Sequence, residues 1–327
     1  MTGTVRLRPS LFDLQVNGFG GVDFQDPGLG AEALHRACRA LHAHCTRRIF
    51  LTLITDRIGA LEEKFARIER LRRADPLAAE TIAGYHLEGP YLSPRPGYRG
   101  AHPAEHMKAP SLPEFRRLQR AAGGRIRLIT LAPEWPGSAR FIAAVTAAGV
   151  VVSLGHTAAT AVQIDAAVRA GARLCTHVGN GCPLELPRHD NIIQRLLARD
   201  ELIATFIPDG IHVPPPALKN FLRAKPRGGV ILTTDAVAAA GAPPGPFHLR
   251  QGGRRLRLVA ARDGTIACPG RPGYLFGSSL TLDRGVANAA RWTGRPAAEA
   301  WEWASRRPAR LFGIRLPWVP IPGGTSA

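Results

Sequence analysis

Residues 126–156 read IRLITLAPEWPGSARFIAAVTAAGVVVSLGH, and this stretch contains one unit of the alternation that decides the fold. An apolar run at 126–131 is followed by a helical pattern at 138–148 and by a second apolar run at 150–154. Continuous apolar runs of this length are typical of strands that are buried on both faces of a parallel sheet. The stretch therefore predicts a β–α–β unit.

The same alternation extends along the chain, with further strand-like runs at 11–16, 48–54, 82–87, 173–178, 202–207 and 230–234. Helical patterns separate or follow these runs, near 31–45, 59–73, 112–122, 160–170, 191–199, 214–224, 280–292 and 296–312. Eight such units predict closure into a (β/α)8 TIM barrel. An open doubly wound sheet is the alternative, but no GxGxxG motif follows the first strand.

The chain after the eighth strand departs from the alternation. Residues 245–277 are rich in Gly and Arg and contain short alternating runs, which predicts a β-hairpin insertion. We expect the barrel domain to span 1–313 and an irregular tail to occupy 314–327, where Pro and Gly are frequent.

Composition restricts the class of partner. The 327 residues include 43 Lys and Arg against 25 Asp and Glu, for a net charge of +18, and all but four of the basic residues are Arg. These Arg are scattered, without a long or aromatic-rich basic segment, so a solvated Arg background is favoured over attraction of small anions, and nucleic-acid binding comes last. No apolar run reaches the roughly 18 residues of a membrane span. Five Cys without a CxxC pair favour reduced thiols and a cytoplasmic location.

Polar residues recur where the predicted strands end, which is the catalytic edge of a barrel. They are Gln15, Asn17, Thr55, His86, Glu88, Glu134, His156, His177, Asn180, Asp209, His212 and Asp235. Of these, Glu88, His156 and His177 come from three different strands and match the donor types of a catalytic zinc-type site. We expect Glu134 to be structural.

Two other patterns are poor candidates. His42 and His44 form an HxH pair, but it falls at the end of a helical pattern and predicts solvated helix-end histidines. Ser279 lacks the GxSxG context of a nucleophilic serine.

Eight motifs in order resemble those of the N-acetylglucosamine-6-phosphate deacetylase family, in the amidohydrolase superfamily. They are DLQVNGFGGVDF (13–24), HLEGPYLSP (86–94), RGAHP (99–103), SLGHTAAT (153–160), THVGN (176–180), PDGIHV (208–213), TTDAVAAAG (233–241) and FGSSLTLD (276–283). The resemblance covers about residues 11 to 313 and implies a metal-dependent hydrolase that releases acetate from an N-acetylated amino-sugar phosphate.

The resemblance also implies roles for individual residues. Glu88, His156 and His177 match the metal ligands, Asp235 the catalytic acid/base, and His102 the group that polarises the acetamide carbonyl. The matching substrate-binding positions are Ala101, His102, Asn180, Gly181, and the cationic pair Arg188 and His212, one of which can reach across a homodimer interface.

We expect one divalent ion, with zinc ahead of iron, cobalt or manganese. A two-metal site of this superfamily usually needs HxH on the first strand and often a carboxylated Lys on the fourth. The first strand here carries Gln15 and Asn17, whose amides are weak zinc ligands, and no Lys lies on a predicted strand.

The match to the family is incomplete in its pocket and at its ends. The small β-sandwich that members build before the first strand and after the last helix is expected to be largely absent. Gly179, Gly181 and Cys182 replace common family residues, and the context of Arg188 differs. Two alternatives therefore stay open: an amidohydrolase for an unphosphorylated or different N-acyl substrate, and a non-catalytic binder of anionic ligands or nucleic acid.

Overall fold

The apolar runs of the sequence form parallel strands in the computed structural model, which describes residues 7–320. The strands are β1 (Leu7–Pro9), β2 (Leu11–Val16), β3 (Gly18–Phe19), β4 (Val22–Asp23), β5 (Thr46–Ile54), β6 (Ile82–Glu88), β7 (Ile126–Leu131), β8 (Val151–Leu154), β9 (Leu174–Cys175), β10 (Ile203–Phe206), β11 (Val230–Leu232), β12 (Gly245–Gln251), β13 (Arg254–Ala260) and β14 (Trp318–Pro320). Eight of them form one parallel sheet in the order β11-β10-β9-β8-β7-β6-β5-β2. The predicted (β/α)8 barrel is confirmed.

Amphipathic helices follow the strands and cover the outside of the sheet. They are α1 (Ala31–Ala43), α2 (Ile58–Ala74), α3 (Pro76–Thr81), α4 (Leu112–Ala121), α5 (Ser138–Ala147), α6 (Ala161–Arg169), α7 (Ile192–Leu197), α8 (Pro215–Ala224), α9 (Leu282–Thr293), α10 (Ala297–Trp303) and α11 (Arg306–Phe312). Their buried faces, such as Leu61, Phe65 and Ile68 of α2, pack on the strands. None of the helices in the described residues is both long enough and apolar enough to span a membrane.

The barrel is closed between its first and last strands by a buried carboxylate. β2 and β11 share no strand ladder, and only an isolated bridge joins Val16 to Ala236 just beyond β11. Asp13 on β2 fills the gap, because its carboxylate accepts hydrogen bonds at 2.6 Å from the hydroxyls of both Thr233 and Thr234. It also accepts the N–H groups of Thr234 and Gln15, each at 3.2 Å. We call this contact the Asp13 seam.

Aromatic packing closes the opposite end of the barrel. The ring of Phe312, from α11, meets those of Phe50 and Phe12 edge-on, at centroid distances of 4.6 and 6.2 Å. Edge-to-face pairs at such distances are favourable beyond the area they bury. The helix that ends the barrel domain therefore plugs the amino-terminal ends of its strands.

Several elements differ from the sequence-based expectation. The pattern at 296–312 forms two helices, because the chain turns at Ser305, whose buried hydroxyl donates to the Trp301 carbonyl at 2.7 Å. α3 was missed, although Asp75 caps it by accepting the Leu77 N–H.

The segments outside the barrel form three two-stranded sheets in residues 7–320. The predicted hairpin is β12–β13, and β3–β4 forms a small turn after the first barrel strand. The tail is not wholly irregular, since β14 pairs antiparallel with β1 and Leu7 lies opposite Pro320. The rest of the predicted tail, 321–327, and residues 1–6 lie outside the described residues. No larger β-sandwich is present in the described part of the chain.

Candidate active site and metal centre

A cavity of about 390 Å³ lies at the carboxyl-terminal ends of the barrel strands. The residues around it include nine of the predicted site positions: Glu88, Ala101, His102, His156, His177, Asn180, Gly181, His212 and Asp235. They come from distant parts of the sequence and are brought together only by the barrel, as expected for its catalytic edge. Arg188 is exposed and does not line this cavity.

Glu88, His156 and His177 form a compact group at the base of the cavity. Each offers one ligand atom, and the three atoms lie within 4.8 Å of one another. The imidazole Nε2 atoms of His177 and His156 lie 3.1 and 3.4 Å from Glu88 Oε1. All three side chains are buried. One carboxylate and two imidazoles, held this closely, fit the donor set of a catalytic metal site.

The tautomer of His156 suits ligation. Its Nδ1 lies 2.9 Å from the carbonyl oxygen of Tyr98, which can only accept a hydrogen bond. The ring proton is therefore on Nδ1, and the lone pair of Nε2 faces Glu88. A backbone carbonyl that accepts the other ring N–H commonly orients a metal-bound histidine.

The Glu88 carboxylate dominates the electrostatics of the group, and it raises the pKa of His177 although burial acts to lower it. Burial raises the pKa of Glu88, but the close contacts of its carboxylate with the imidazoles of His156 and His177 outweigh burial and hold the pKa well below its usual range. Burial, with the neighbouring His156, lowers the pKa of His102 to about 3, so that ring is neutral.

Asp235 is fixed by two amide side chains of the first barrel strand and the turn after it. Asn17 Nδ2 and Gln15 Nε2 donate to Asp235 Oδ1 at 2.6 and 3.0 Å. Gln15 also donates to Glu88 Oε1 at 2.9 Å, so one amide joins the two carboxylates. Burial, reinforced by the charge of Glu88, raises the pKa of Asp235 to about 6. The sequence identified both amides as strand-end residues but not their role of orienting Asp235.

The backbone at these residues is unusual. His156, His177 and Asp235 have φ angles of +50°, +30° and +51°, and Cys45 is the one other non-glycine residue with positive φ in the described chain. The left-handed region costs a non-glycine residue about 1 to 3 kcal/mol, and such residues cluster at functional sites. The strained positions therefore coincide with the polar groups of the cavity.

Neighbouring segments hold the metal-site histidines in place. Glu134 accepts the Ala158 N–H at 2.9 Å and the Thr157 hydroxyl, so it anchors the turn after His156, as its predicted structural role requires. Gly181 has φ +58°, and a Cβ there would lie 2.7 Å from His156 Nδ1. The departure at Gly181 is thus explained by the close approach of the imidazole.

Two of the remaining histidines are also oriented. His102 Nδ1 lies 3.0 Å from the Thr55 hydroxyl, and its Nε2 lies 3.8 Å from Glu88 Oε2. His212 Nδ1 bonds to Asp209 at 2.6 Å.

The HxH pair lies outside the cavity. His42 contacts Arg47 and Thr81, and His44 contacts Asp283, so both are engaged in structural contacts rather than merely solvated.

One cation near the site was missed from the sequence. Arg250, on β12, is the single Lys or Arg among the described residues that line the cavity. Its backbone N–H donates to Asp23 Oδ2 at 2.6 Å, which ties the hairpin to the end of β4. No periodic signal could have located it, because the contact depends on how the hairpin folds over the barrel.

Comparison with known proteins identifies the family. The chain is 35% identical over 322 residues to N-acetylglucosamine-6-phosphate deacetylase of Bos taurus, covering 94% of this chain and 75% of the relative. The chain belongs to the N-acetylglucosamine-6-phosphate deacetylase family. It is also 33% identical to N-acetylgalactosamine-6-phosphate deacetylase of Escherichia coli O157:H7, covering 94% of this chain and 78% of the relative. No known family model matches the chain.

Solved structures agree with this membership of the deacetylase family. A deacetylase from Mycobacterium smegmatis, solved in complex with N-acetyl-D-glucosamine-6-phosphate, superposes with a TM-score of 0.84 at 30% identity. The superposition covers 96% of this chain and 79% of that one. The protein is therefore an enzyme of the metal-dependent amidohydrolase type, and its Glu88–His156–His177 group could bind a divalent ion.

Proposed function

We propose that the protein hydrolyses the acetamide of N-acetylglucosamine 6-phosphate to glucosamine 6-phosphate and acetate. The observation that carries this proposal is the buried Glu88–His156–His177 group, joined through Gln15 to Asp235 in one cavity. The two relatives quoted above are named for different amino-sugar phosphates, so the galactosamine isomer is the natural competing substrate.

Glu88, His156 and His177 are proposed to hold one divalent ion, zinc by preference. When bound, such an ion supplies Lewis acidity and makes a water molecule acidic near neutral pH. A single ion is supported by the first strand, because Gln15 and Asn17 are already engaged as hydrogen-bond donors to carboxylates.

Asp235 is proposed as the general base and acid. Gln15 and Asn17 occupy Oδ1, so the other carboxylate oxygen is left to accept the proton of the attacking water. The same proton can then pass to the departing amine, which is a poor leaving group unless protonated.

His102 is proposed to polarise the acetamide carbonyl. The Thr55 hydroxyl can donate to His102 Nδ1 at 3.0 Å, which places the ring proton on Nε2 beside Glu88. A neutral imidazole N–H is a suitable donor to an oxygen that gains negative charge during the attack.

The phosphate is proposed to lie toward His212 and Arg250. His212 follows the seventh barrel strand and Arg250 belongs to the insertion after the eighth, the region where TIM barrels commonly bind phosphate. Ala101, Asn180 and Gly181 are proposed to contact the sugar. Arg188, which is exposed outside the cavity, is proposed to contribute from a partner subunit of the predicted homodimer.

We also propose a cytoplasmic location for the protein. The five free cysteines favour a reducing cytoplasm. Neither a nucleic acid nor a membrane surface is needed for the proposed reaction.

The test is acetate release by the zinc-loaded enzyme from N-acetylglucosamine and N-acetylgalactosamine, each with and without the 6-phosphate. We expect the phosphorylated glucosamine derivative to have the highest kcat/KM. Equal turnover with and without phosphate would contradict the phosphate site and favour the unphosphorylated alternative.

Asp235→Asn tests the proton-transfer role. The variant should bind about one equivalent of zinc and lose at least about a hundredfold in kcat. Full activity in this variant would refute the mechanism, and loss of zinc binding would show that Asp235 is itself a ligand.

A further inference from the structure

A second cleft, of about 440 Å³, lies at the amino-terminal face of the barrel. Val230, on its wall, is the first residue of β11, whereas Asp235 follows the end of the same strand. Five residues of extended chain span about 16 Å, so the cleft is separate from the catalytic cavity. It lies between the end of α8, with the loop that follows, and the helices α10 and α11. Its lining is Lys219, Leu222, Arg223, Lys225, Pro226, Arg227, Val230, Thr293, Arg295, Glu299, Trp303 and Arg307.

The charge of this lining exceeds the basic background of the chain. Six of the twelve residues are Lys or Arg and one, Glu299, is acidic. In the whole protein 43 of 327 residues are Lys or Arg. The fraction of Lys and Arg in the cleft lining is thus several-fold higher than in the whole sequence. Together these cations produce a positive potential in the cleft.

Most of this positive charge is not neutralised by other side chains. Within residues 7–320, the side chains of Lys219, Arg223 and Arg227 make neither a hydrogen bond nor an ion pair. Arg295 lies 3.9 Å from Glu299. Two cations bond only to carbonyl oxygens: Lys225 Nζ donates to the Arg199 oxygen at 2.6 Å, and Arg307 Nη1 donates to the Val230 oxygen at 3.3 Å.

The charged forms of the two less exposed cations, Arg307 and Lys225, are disfavoured by their surroundings. Burial lowers the pKa of Arg307, and Arg227 and Arg310 add to the lowering, while Glu299 and Glu302 oppose it. Burial also lowers the pKa of Lys225, against the nearby Cys175, Asp200 and Glu201. An anion in the cleft would relieve both effects, because it favours the charged forms.

Trp303 lies on the wall of the same cleft. It is 3% exposed, and its indole Nε1 is buried without a hydrogen-bond partner in the described residues. Buried indole N–H groups usually find an acceptor. The Arg307 guanidinium lies over the same ring, 5.7 Å from its centroid.

We propose that this cleft binds a small polyvalent oxyanion, such as a sugar carrying two phosphate groups. The volume suits a ligand of that size. The cations come from two separate stretches of the chain, with Lys219, Arg223 and Arg227 on or after α8 and Arg295 and Arg307 near α10 and α11. A nucleic acid would instead require an extended basic surface with exposed stacking aromatics, and Trp303 is buried.

The experiment measures binding of fructose 1,6-bisphosphate to the zinc-loaded enzyme by calorimetry at low salt. The test variant is Lys219→Met with Arg227→Met, and its matched control is Arg70→Met with Arg140→Met, two exposed arginines on α2 and α5. Arg223→Met alone is a second test with a smaller change in charge. Turnover of the acetylated substrate is measured in each protein to separate this site from the catalytic one.

We expect one binding site in the wild type and at least about tenfold weaker binding in the double test variant. The control should bind within about twofold of the wild type, and kcat/KM should be unchanged in every variant. An equal loss of affinity in the control would contradict the proposal, because it would show that binding depends on the net charge of the protein and not on this cleft. Absence of binding at about 5 mM ligand would refute the proposal, and so would a short oligonucleotide that competes and binds more tightly.

Discussion

Replacement of Asp13 tests the closure of the barrel. In Asp13→Ala, the Thr233 hydroxyl and the N–H groups of Gln15 and Thr234 lose their buried acceptor. The Thr234 hydroxyl retains the Gln15 carbonyl at 3.5 Å as a weak alternative. Each unsatisfied buried donor costs about 1 to 3 kcal/mol. Burial raises the pKa of Asp13 despite these hydrogen bonds, so part of the loss is offset by removal of a poorly solvated carboxyl group.

The net expectation is a loss of about 3 kcal/mol in the free energy of unfolding, or a Tm lower by about 6 °C for a domain of this size. Thermal and urea unfolding of the zinc-free protein measure it without a contribution from metal binding. Asp13→Asn, which keeps one acceptor oxygen, should lose about half as much. Glu32→Ala, at an exposed position on α1, is the control and should change stability by less than about 0.5 kcal/mol. A loss below about 1 kcal/mol in Asp13→Ala would show that the seam does not hold the barrel closed.

Three further changes test the site and its surroundings. Arg250→Met should raise KM for the phosphorylated substrate about tenfold or more, with little change in kcat. The control Arg255→Met, on the same hairpin, should leave KM and kcat unchanged. An equal rise in KM for the unphosphorylated sugar would contradict a phosphate contact of Arg250. Burial raises the pKa of Asp23 from 3.8 to about 7, so ionisation of Asp23 alone should remove on the order of 4 kcal/mol of stability as the pH rises from 4 to 7. Asp23→Asn should lack this contribution, so its stability relative to the wild type should rise over that pH range in urea unfolding, and a constant difference would exclude the contribution of Asp23. Glu134→Ala should weaken zinc affinity about tenfold, because the turn after His156 loses its anchor. A competition titration measures this affinity, and an unchanged value would show that the turn keeps its conformation without Glu134.

The sequence predicts the barrel well because its signals are local. Each strand is a short apolar run, and the predicted strand at 126–131 coincides with β7. The prediction of one continuous helix over 296–312 was wrong, because nothing in the periodicity marks the turn at Ser305. This turn is fixed by packing and by the hydrogen bond from the Ser305 hydroxyl to the Trp301 carbonyl. α3 was missed because Pro76 reads as a break, although proline is well tolerated in the first turn of a helix.

The residues of the site likewise divide into those that the sequence predicts and those that it does not. Glu88 ends β6, and His156 and His177 lie two residues beyond the ends of β8 and β9, so the barrel makes the three residues neighbours. The cation of the cavity could not be predicted, since Arg250 reaches it through a hairpin whose position depends on tertiary contacts such as that with Asp23. Arg188, which was predicted from a motif, lies on the surface outside the cavity. Strand ends are therefore predictable from sequence, and insertions that fold over them are not.

The pairing of β1 with β14 makes the described chain close to a ring. Leu7 and Pro320 lie opposite each other in one antiparallel pair, while the Gly252–Gly253 turn between β12 and β13 lies far from both ends in sequence. The two ends of the described chain could therefore be joined without displacing a strand of the barrel. A circularly permuted chain, joined across the β1–β14 pair and opened at Gly252–Gly253, would retain the eight strands in their spatial order, with the point of opening moved to the hairpin that bears Arg250.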